Sequence, residues 1–434
     1  MLTMRNGKVL FILLDAFRHD YINPVDTPFL FAATHNGVYA KKLKSTTGFT
    51  QRTAVFTGSR GAASGMFTMY TFDQAGSPFR FLQGSATNGF PPHSAWAEKI
   101  PSIAGLRRFK RLIIQSCERR EKVYREKIQH EAKKYANHAP PGFIPIALLP
   151  YIGVSEDNRP IHLPGALEQE TIFDVFARAG IEYRFLMFPV FNCDDEGVLQ
   201  LFLKEARSSA KIVLGQFSDS DSLVHHCGPG AMKRRSVVGE IDRRLREIAS
   251  CYGDDVTWVI IGDHGMTDVV EEVDVAREVA ILESKAGVRQ TRDYLLFLDS
   301  TMARFRALTD RGRSFIANLA EAKSFLQKGK FIDSAMAQRY SIPVGDRRYG
   351  DAIWWANPGV LIFPDYFHDR YTHNKGMHGY DSEHDDMKGF FLALGPGLSR
   401  KVIEEAELID VCASLCAAVG LAPPAANEGK SLLA

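Results

Sequence analysis

Six short runs of apolar residues recur along the chain, at 8–14, 183–188, 211–217, 256–262, 360–364 and 389–395. Within each run the apolar positions are consecutive rather than alternating, as in strands covered on both faces, and helical periodicity fills several of the stretches between them. TIFDVFARAGIEYRFLMF reads as a helix, a stop at Gly180 and a strand. GEIDRRLREIASCYGDDVTWVIIGDHG repeats that order with Gly253 as the stop. The alternation predicts an α/β fold, a doubly wound and mostly parallel central sheet flanked by helices, with ligands bound beyond the carboxyl ends of the strands.

Two stretches break the alternation and read as insertions over the rim of one domain spanning 1–434. The first, 66–163, passes from loop signals into a basic helix at 106–134, with 11 basic residues against 4 acidic. An apolar stripe through Leu106, Phe109, Ile113 and Val123 makes it either a solvated amphipathic helix or a docking surface for an anionic substrate or partner. The second, 273–374, holds YLLFLDSTMARFRAL and a helix near 313–327. PGFIPIALLPYIGV at 141–154 is the most apolar segment, and three prolines make it a loop or hairpin over a cleft rather than a membrane span.

Composition changes this picture little. With 45% hydrophobic and 24% charged residues the chain is ordinary for a globular protein, and a net charge of +2 gives no global reason to expect nucleic acid or an anionic membrane as partner. The apolar run at 9–14 is too short for a signal-peptide core and ends at Asp15, so a cytoplasmic protein without a transmembrane segment is expected. Six cysteines without CxxC spacing read as reduced, mostly buried thiols.

The candidate chemistry lies at the strand ends. Asp15 follows the first run directly, Asp263 and His264 follow VTWVIIG, and Asp221 with His225 lie just beyond KIVLGQF, four residues apart and so on one helical face. His378, in GMHGYD, precedes the last run. Taken singly, Asp-His-Gly is an ordinary turn and the Asp221–His225 pair an ordinary helix cap. Together, three Asp and three His on one rim form a donor set suited to two borderline divalent ions, zinc first and manganese second.

In this order the motifs resemble the alkaline phosphatase superfamily, and within it the nucleotide pyrophosphatase/phosphodiesterase family. LLDAFRHDY, DTPFL and FTG are similar to that family's opening strand, Thr-Pro helix and the helix behind its nucleophile; IGDHGMTDV, GMHGYD and the C-terminal ELIDVCASLCAAVGLAPP also match. SDSDSLVHHCGPG is similar to its acidic-Pro-Asp-x-x-Gly-His-x-x-Gly-Pro signature, with Ser220 and Val224 in place of Pro and Gly. The resemblance implies one ion held by Asp221, His225 and His378, and another by Asp15, Asp263, His264 and a nucleophile oxygen. It further implies a metal-dependent hydrolase of a small-molecule or glycoconjugate phosphate ester.

The nucleophile is the point of departure. The family's Thr or Ser stands ten residues before the Gly of FTG, which here is Gly48. Thr47 and Thr50 are the nearest hydroxyls, Thr47 the first candidate, with Thr46 or no covalent nucleophile also open; each threonine would also serve as a helix cap. Arg52 is placed either to clamp the phosphoryl group or to sit on the surface. Phosphomonoesterase and phosphoryl-headgroup transferase remain as alternatives, as does a metal-binding protein without a nucleophile. A sulfatase is disfavoured because no Cys or Ser followed by x-Pro-x-Arg occurs near 45–52.

Overall fold

The computed structural model describes residues 7–83, 143–155, 159–188, 190–319, 327–368 and 371–433, together with helical Glu126 and His130. The rest of the basic segment 106–134 lies outside the described residues. Seven strands build the central sheet: β1 (Lys8–Leu14), β2 (Val38–Lys44), β3 (Tyr183–Leu186), β4 (Ile212–Phe217), β5 (Val256–Gly262), β6 (Gly389–Leu394) and β7 (Lys401–Glu407), in the order β7-β2-β6-β5-β1-β4-β3. All are parallel except β6, which runs antiparallel to both neighbours.

Helices cover both faces. Around the sheet run α1 (Gln51–Thr57), α2 (Ile172–Arg178), α3 (Asp195–Glu205), α4 (Asp219–Cys227), α5 (Met232–Tyr252) and α6 (Asp410–Ala418). Because side chains alternate along a strand, Val9, Phe11 and Leu13 of β1 enter one core with Phe173 and Phe176 of α2 and Leu415 of α6. Leu10, Ile12 and Leu14 enter the other, with Phe202 of α3 and Ile241 and Leu245 of α5. The expected stops are in place: α2 starts on a capping box between Thr171 and Asp174, and the left-handed Gly180 and Gly253 follow α2 and α5.

The run at 360–364 differs from expectation. Val360–Ile362 pairs in parallel with Glu271–Val273 in a separate two-stranded ribbon, and it is apolar because it belongs to another core. That core lies under a four-stranded antiparallel sheet, Tyr294–Leu298, Met302–Ala307, Ala352–Ala356 and Gly329–Phe331. The helix expected near 313–327 is described over Asp310–Leu319, and 320–326 lie outside the described residues. Of the apolar segment at 141–154, Ile144, Leu148, Leu149 and Ile152 are buried in the same core, where Ile152–Val154 pairs with Tyr70–Phe72. Among the described residues no helix is long and apolar enough to cross a membrane. Cys412 and Cys416 are buried as expected, whereas Cys193 and Cys251 are exposed; all four are free thiols.

Candidate metal centre

The sheet register delivers the site. Leu14 lies level with Phe217 on one side and Gly262 on the other. The chain therefore leaves β1, β4 and β5 at one rim, where Asp15, Ser218 and Asp263 follow. The antiparallel β6 starts at this same rim, so the loop that precedes it brings in His378.

Helix α4 begins immediately after β4, and its start is fixed from α3. The buried Asp195 carboxylate accepts from the amides of Ser218 at 2.7 Å and Asp219 at 3.1 Å, with the Arg244 guanidinium 3.6 Å from Asp195 and 3.0 Å from Asp219. One turn along α4, His225 Nε2 is 3.2 Å from Asp221 Oδ1. The strand Gly376–Met377 then crosses α4: the Lys375 amide donates to the His225 carbonyl at 2.7 Å, and His225 Nδ1 lies 2.9 Å from the Gly376 carbonyl. His378 Nε2 comes to 3.7 Å from Asp221 Oδ1.

Two groups of three donors result. Asp221, His225 and His378 form one and Asp15, Asp263 and His264 the other; within each group the donor atoms lie within 4.8 Å of one another. The rings of His264 and His378 are 4.2 Å apart, so the groups are neighbours. In the second group His264 Nε2 is 3.2 Å from Asp15 Oδ1 and 3.8 Å from Asp263 Oδ1. His264 Nδ1 lies 2.9 Å from the Gly265 carbonyl. Both His225 and His264 thus spend Nδ1 on a backbone carbonyl and turn Nε2 to the carboxylates, the arrangement that orients metal-ligating imidazoles.

The electrostatics fit a cation. Burial opposes charge on His264, yet Asp263 and Asp15 outweigh it and lift its pKa to about 10. Burial raises Asp263 to about 7 against the pull of His264. At Asp221 burial is outweighed by His225 and its neighbours, which hold the carboxyl far below the usual range. Burial, with His264 adding to it, drives His378 well below an ordinary histidine. Asp221 Oδ1 and His378 Nδ1 are buried without a hydrogen-bond partner. A divalent ion in each group would replace imidazole protons as the charge that offsets the carboxylates.

The hydroxyl segment is placed differently from the donors. Gly48 has φ +104°, and a β-carbon there would lie 2.1 Å from the Phe67 carbonyl oxygen. Helix α1 starts at Gln51 with Thr50 at its N-cap, and the Thr50 hydroxyl donates to the Met66 carbonyl at 3.2 Å. Thr46 and Thr47 line a cavity of about 210 Å³ with Lys44, Arg60 and Tyr340, and none of the six donors lines it. From this segment the Phe49 ring lies 5.7 Å from that of His378. Arg52 donates to the Phe188 carbonyl at 2.8 Å.

Several supporting residues escaped the sequence reading. Gln216 donates to Asp15 Oδ2 at 2.7 Å, and its signal was a polar residue inside the apolar run IVLGQF. The two departures from the signature have work here: the Ser220 hydroxyl donates to the Asp15 carbonyl at 2.5 Å, and Val224 packs with Ala16 and Met266. Thr301 and Trp355 each donate to the carbonyl of Gly379 at 3.0 Å, fixing the loop behind His378. Asp365 holds His368 at 2.8 Å, and Asn374 bridges from His368 Nε2 at 2.9 Å toward His225. Only the last of these, from Asn374 to His225, joins residues far apart in the chain, and no local pattern announces it.

Comparison with known proteins follows the same motifs. The family model for type I phosphodiesterase / nucleotide pyrophosphatase matches residues 9–381. Human ectonucleotide pyrophosphatase/phosphodiesterase family member 7 is 25% identical over 272 residues, 58% of this chain and 54% of the relative. Ectonucleotide pyrophosphatase/phosphodiesterase 1 of Saccharomyces cerevisiae is 22% identical over 258 residues, 51% of this chain and 33% of the relative. The chain aligns with about half the length of the family member 7 proteins it matches. Among solved structures, murine ectonucleotide pyrophosphatase/phosphodiesterase 5 superposes with a TM-score of 0.65 at 17% identity, covering 96% of both chains. An inactive threonine-to-alanine variant of that murine protein, in complex with AMP, superposes at 0.63 with the same identity and coverage.

Proposed function

We propose that this chain, which belongs to the type I phosphodiesterase / nucleotide pyrophosphatase family, hydrolyses phosphate diesters with the help of two divalent cations, zinc before manganese. The observation that carries the reading is the pair of adjacent three-donor groups on the carboxyl rim. Asp221, His225 and His378 would hold one cation and Asp15, Asp263 and His264 the other. Such ions supply Lewis-acid polarisation of the phosphoryl oxygens and lower the pKa of the attacking hydroxyl or water.

The chain's own residues do the rest. The Gly376 and Gly265 carbonyls hold two imidazoles in the tautomer that leaves Nε2 for a ligand. Gln216 and Ser220 fix Asp15 from its side chain and its backbone. Asp195 sets the start of α4, and with it the register of Asp221 and His225. Side-chain exposures of 14–23% in the first group leave it open to a substrate from solvent. In this reading the Thr47 hydroxyl attacks phosphorus and gives up its proton as one ester alcohol leaves, and water then breaks the resulting threonyl phosphodiester to release the phosphate monoester and free Thr47.

A second reading is favoured by the segment itself. The Phe67 carbonyl excludes a side chain at position 48, and Thr47 lines a cavity that none of the six donors lines. Water would then attack directly, in one displacement. Turnover of a chromogenic diester, stripped of metal and restored with Zn²⁺ or Mn²⁺, separates the two. If Thr47 attacks, Thr47→Ala loses several orders of magnitude in kcat with metal content intact, while Thr50→Ala, whose hydroxyl caps no helix amide, loses only its hydrogen bond to the Met66 carbonyl, about 1 kcal/mol of stability. Near-normal turnover in both variants, with inversion at phosphorus, rejects the covalent route. Faster turnover of the matching monoester than of the diester would overturn the diesterase reading.

A further inference from the structure

Away from the rim, a cleft of about 640 Å³ opens between the segment that follows Tyr70–Phe72 and the four-stranded sheet. Four arginines line it: Arg80, Arg306, Arg347 and Arg348. Thr301, which contacts the loop behind His378, lies five residues before Arg306. At ~3.3 Å per residue of extended chain this puts Arg306 roughly 17 Å from Thr301, and none of the six donors lines the cleft.

The four cations are not equally satisfied. Arg348 is paired with Asp346 at 2.6 Å and Arg347 with Asp351 at 3.2 Å. Arg80 donates to the Ala75 carbonyl, and Arg306 to the Phe72 carbonyl through Nη1; among the described residues neither makes an ion pair. The Arg306 Nε is buried without a hydrogen-bond partner. The remaining carboxylate of the cleft, Asp73, spends Oδ1 on the amide of Gly76. Burial lowers the pKa of Arg306, and the neighbouring Arg347 lowers it further, against the pull of Asp351, Asp73 and Asp346. A half-buried guanidinium with an idle N–H, beside other cations and open to a cleft of ligand size, is what an oxyanion satisfies through charge-assisted bonds.

We propose that this cleft binds a phosphate or sulfate group, at a site separate from the candidate metal centre, with Arg306 and Arg80 as its main contacts. The group is either a free inorganic anion or part of a larger phosphorylated molecule; both present the same tetrahedral oxygens. Calorimetric titration of the metal-loaded protein with inorganic phosphate, and separately with glucose 6-phosphate, distinguishes them. Equal affinities indicate the free anion, and at least tenfold tighter sugar phosphate indicates the larger molecule.

In either case Arg306→Gln should weaken one class of sites at least tenfold while hydrolysis of a small chromogenic diester stays within twofold. Arg80→Gln, at an exposed position, should weaken the same class with an unchanged circular dichroism spectrum. Phosphate binding that survives unchanged in both variants, or that is wholly lost in Asp221→Asn, would place all of it at the metal rim and overturn the proposal. So would the absence of binding by either probe.

Discussion

Replacing Gly48 by alanine tests how the chain departs from its family at the nucleophile. The added β-carbon would stand 2.1 Å from the Phe67 carbonyl oxygen and 2.8 Å from Phe67 Cδ2. Relief requires that carbonyl to retreat by about 1 Å in a packed interior, at roughly 1–3 kcal/mol. The same oxygen accepts the Phe49 amide at 2.9 Å, and loss of that bond adds about 1 kcal/mol. A positive φ costs an L-residue about 1–2 kcal/mol more. Gly48→Ala should therefore lose roughly 3–6 kcal/mol in urea denaturation followed by circular dichroism, with an unchanged m-value. Gly48→Thr, which restores a hydroxyl at the family spacing, should be at least as unstable and should not raise kcat. A loss below about 1 kcal/mol, or a Gly48→Thr enzyme faster than wild type, would refute the steric argument and make position 48 a lost nucleophile rather than a forbidden one.

Two pH effects follow from the buried acids and imidazoles. Burial lifts Asp195 to about 6 against its two amide bonds. A raised carboxyl pKa favours the protonated fold, so its contribution is complete below the unfolded value near 4 and is lost as pH rises through about 6. Wild type should thus lose about 2–3 kcal/mol more than Asp195→Asn between pH 4 and pH 7; parallel stability curves would contradict this. For the metal centre, His264 carries a proton below about pH 10, which a bound cation must displace. Cation uptake at pH 8 should release about one proton or more, seen as calorimetric heats that depend on the ionisation enthalpy of the buffer. Heats independent of buffer would mean that His264 is not a ligand.

How much was legible depended on burial. β1 and β5 lie at the centre of the sheet and are apolar on both faces, so their runs stood out. β2 and β7, VYAKKLK and KVIEEAE, were not read as strands. β7 is an edge strand with most positions open to solvent, and β2 beside it alternates buried positions with lysines. Val360–Ile362 misled because an apolar run reports burial without saying in which core. Five of the six donors were readable because each sits at or just after a strand end, where the fold rule places ligands. His378 needed its motif, because it enters on a loop ahead of an antiparallel strand. The conformation of Gly48 and the approach of Phe49 to His378 arise from contacts with Phe67 and Gly379 that no spacing encodes.

The central claim is that two cations occupy two separable donor groups, and metal counting tests it most directly. Protein purified without chelator and re-equilibrated with Zn²⁺ should carry about two ions per chain by elemental analysis. Asp221→Ala and Asp263→Ala, each still folded by circular dichroism, should each retain about one. Finding no bound metal in wild type at saturating Zn²⁺, or an unchanged count in both variants, would contradict the account.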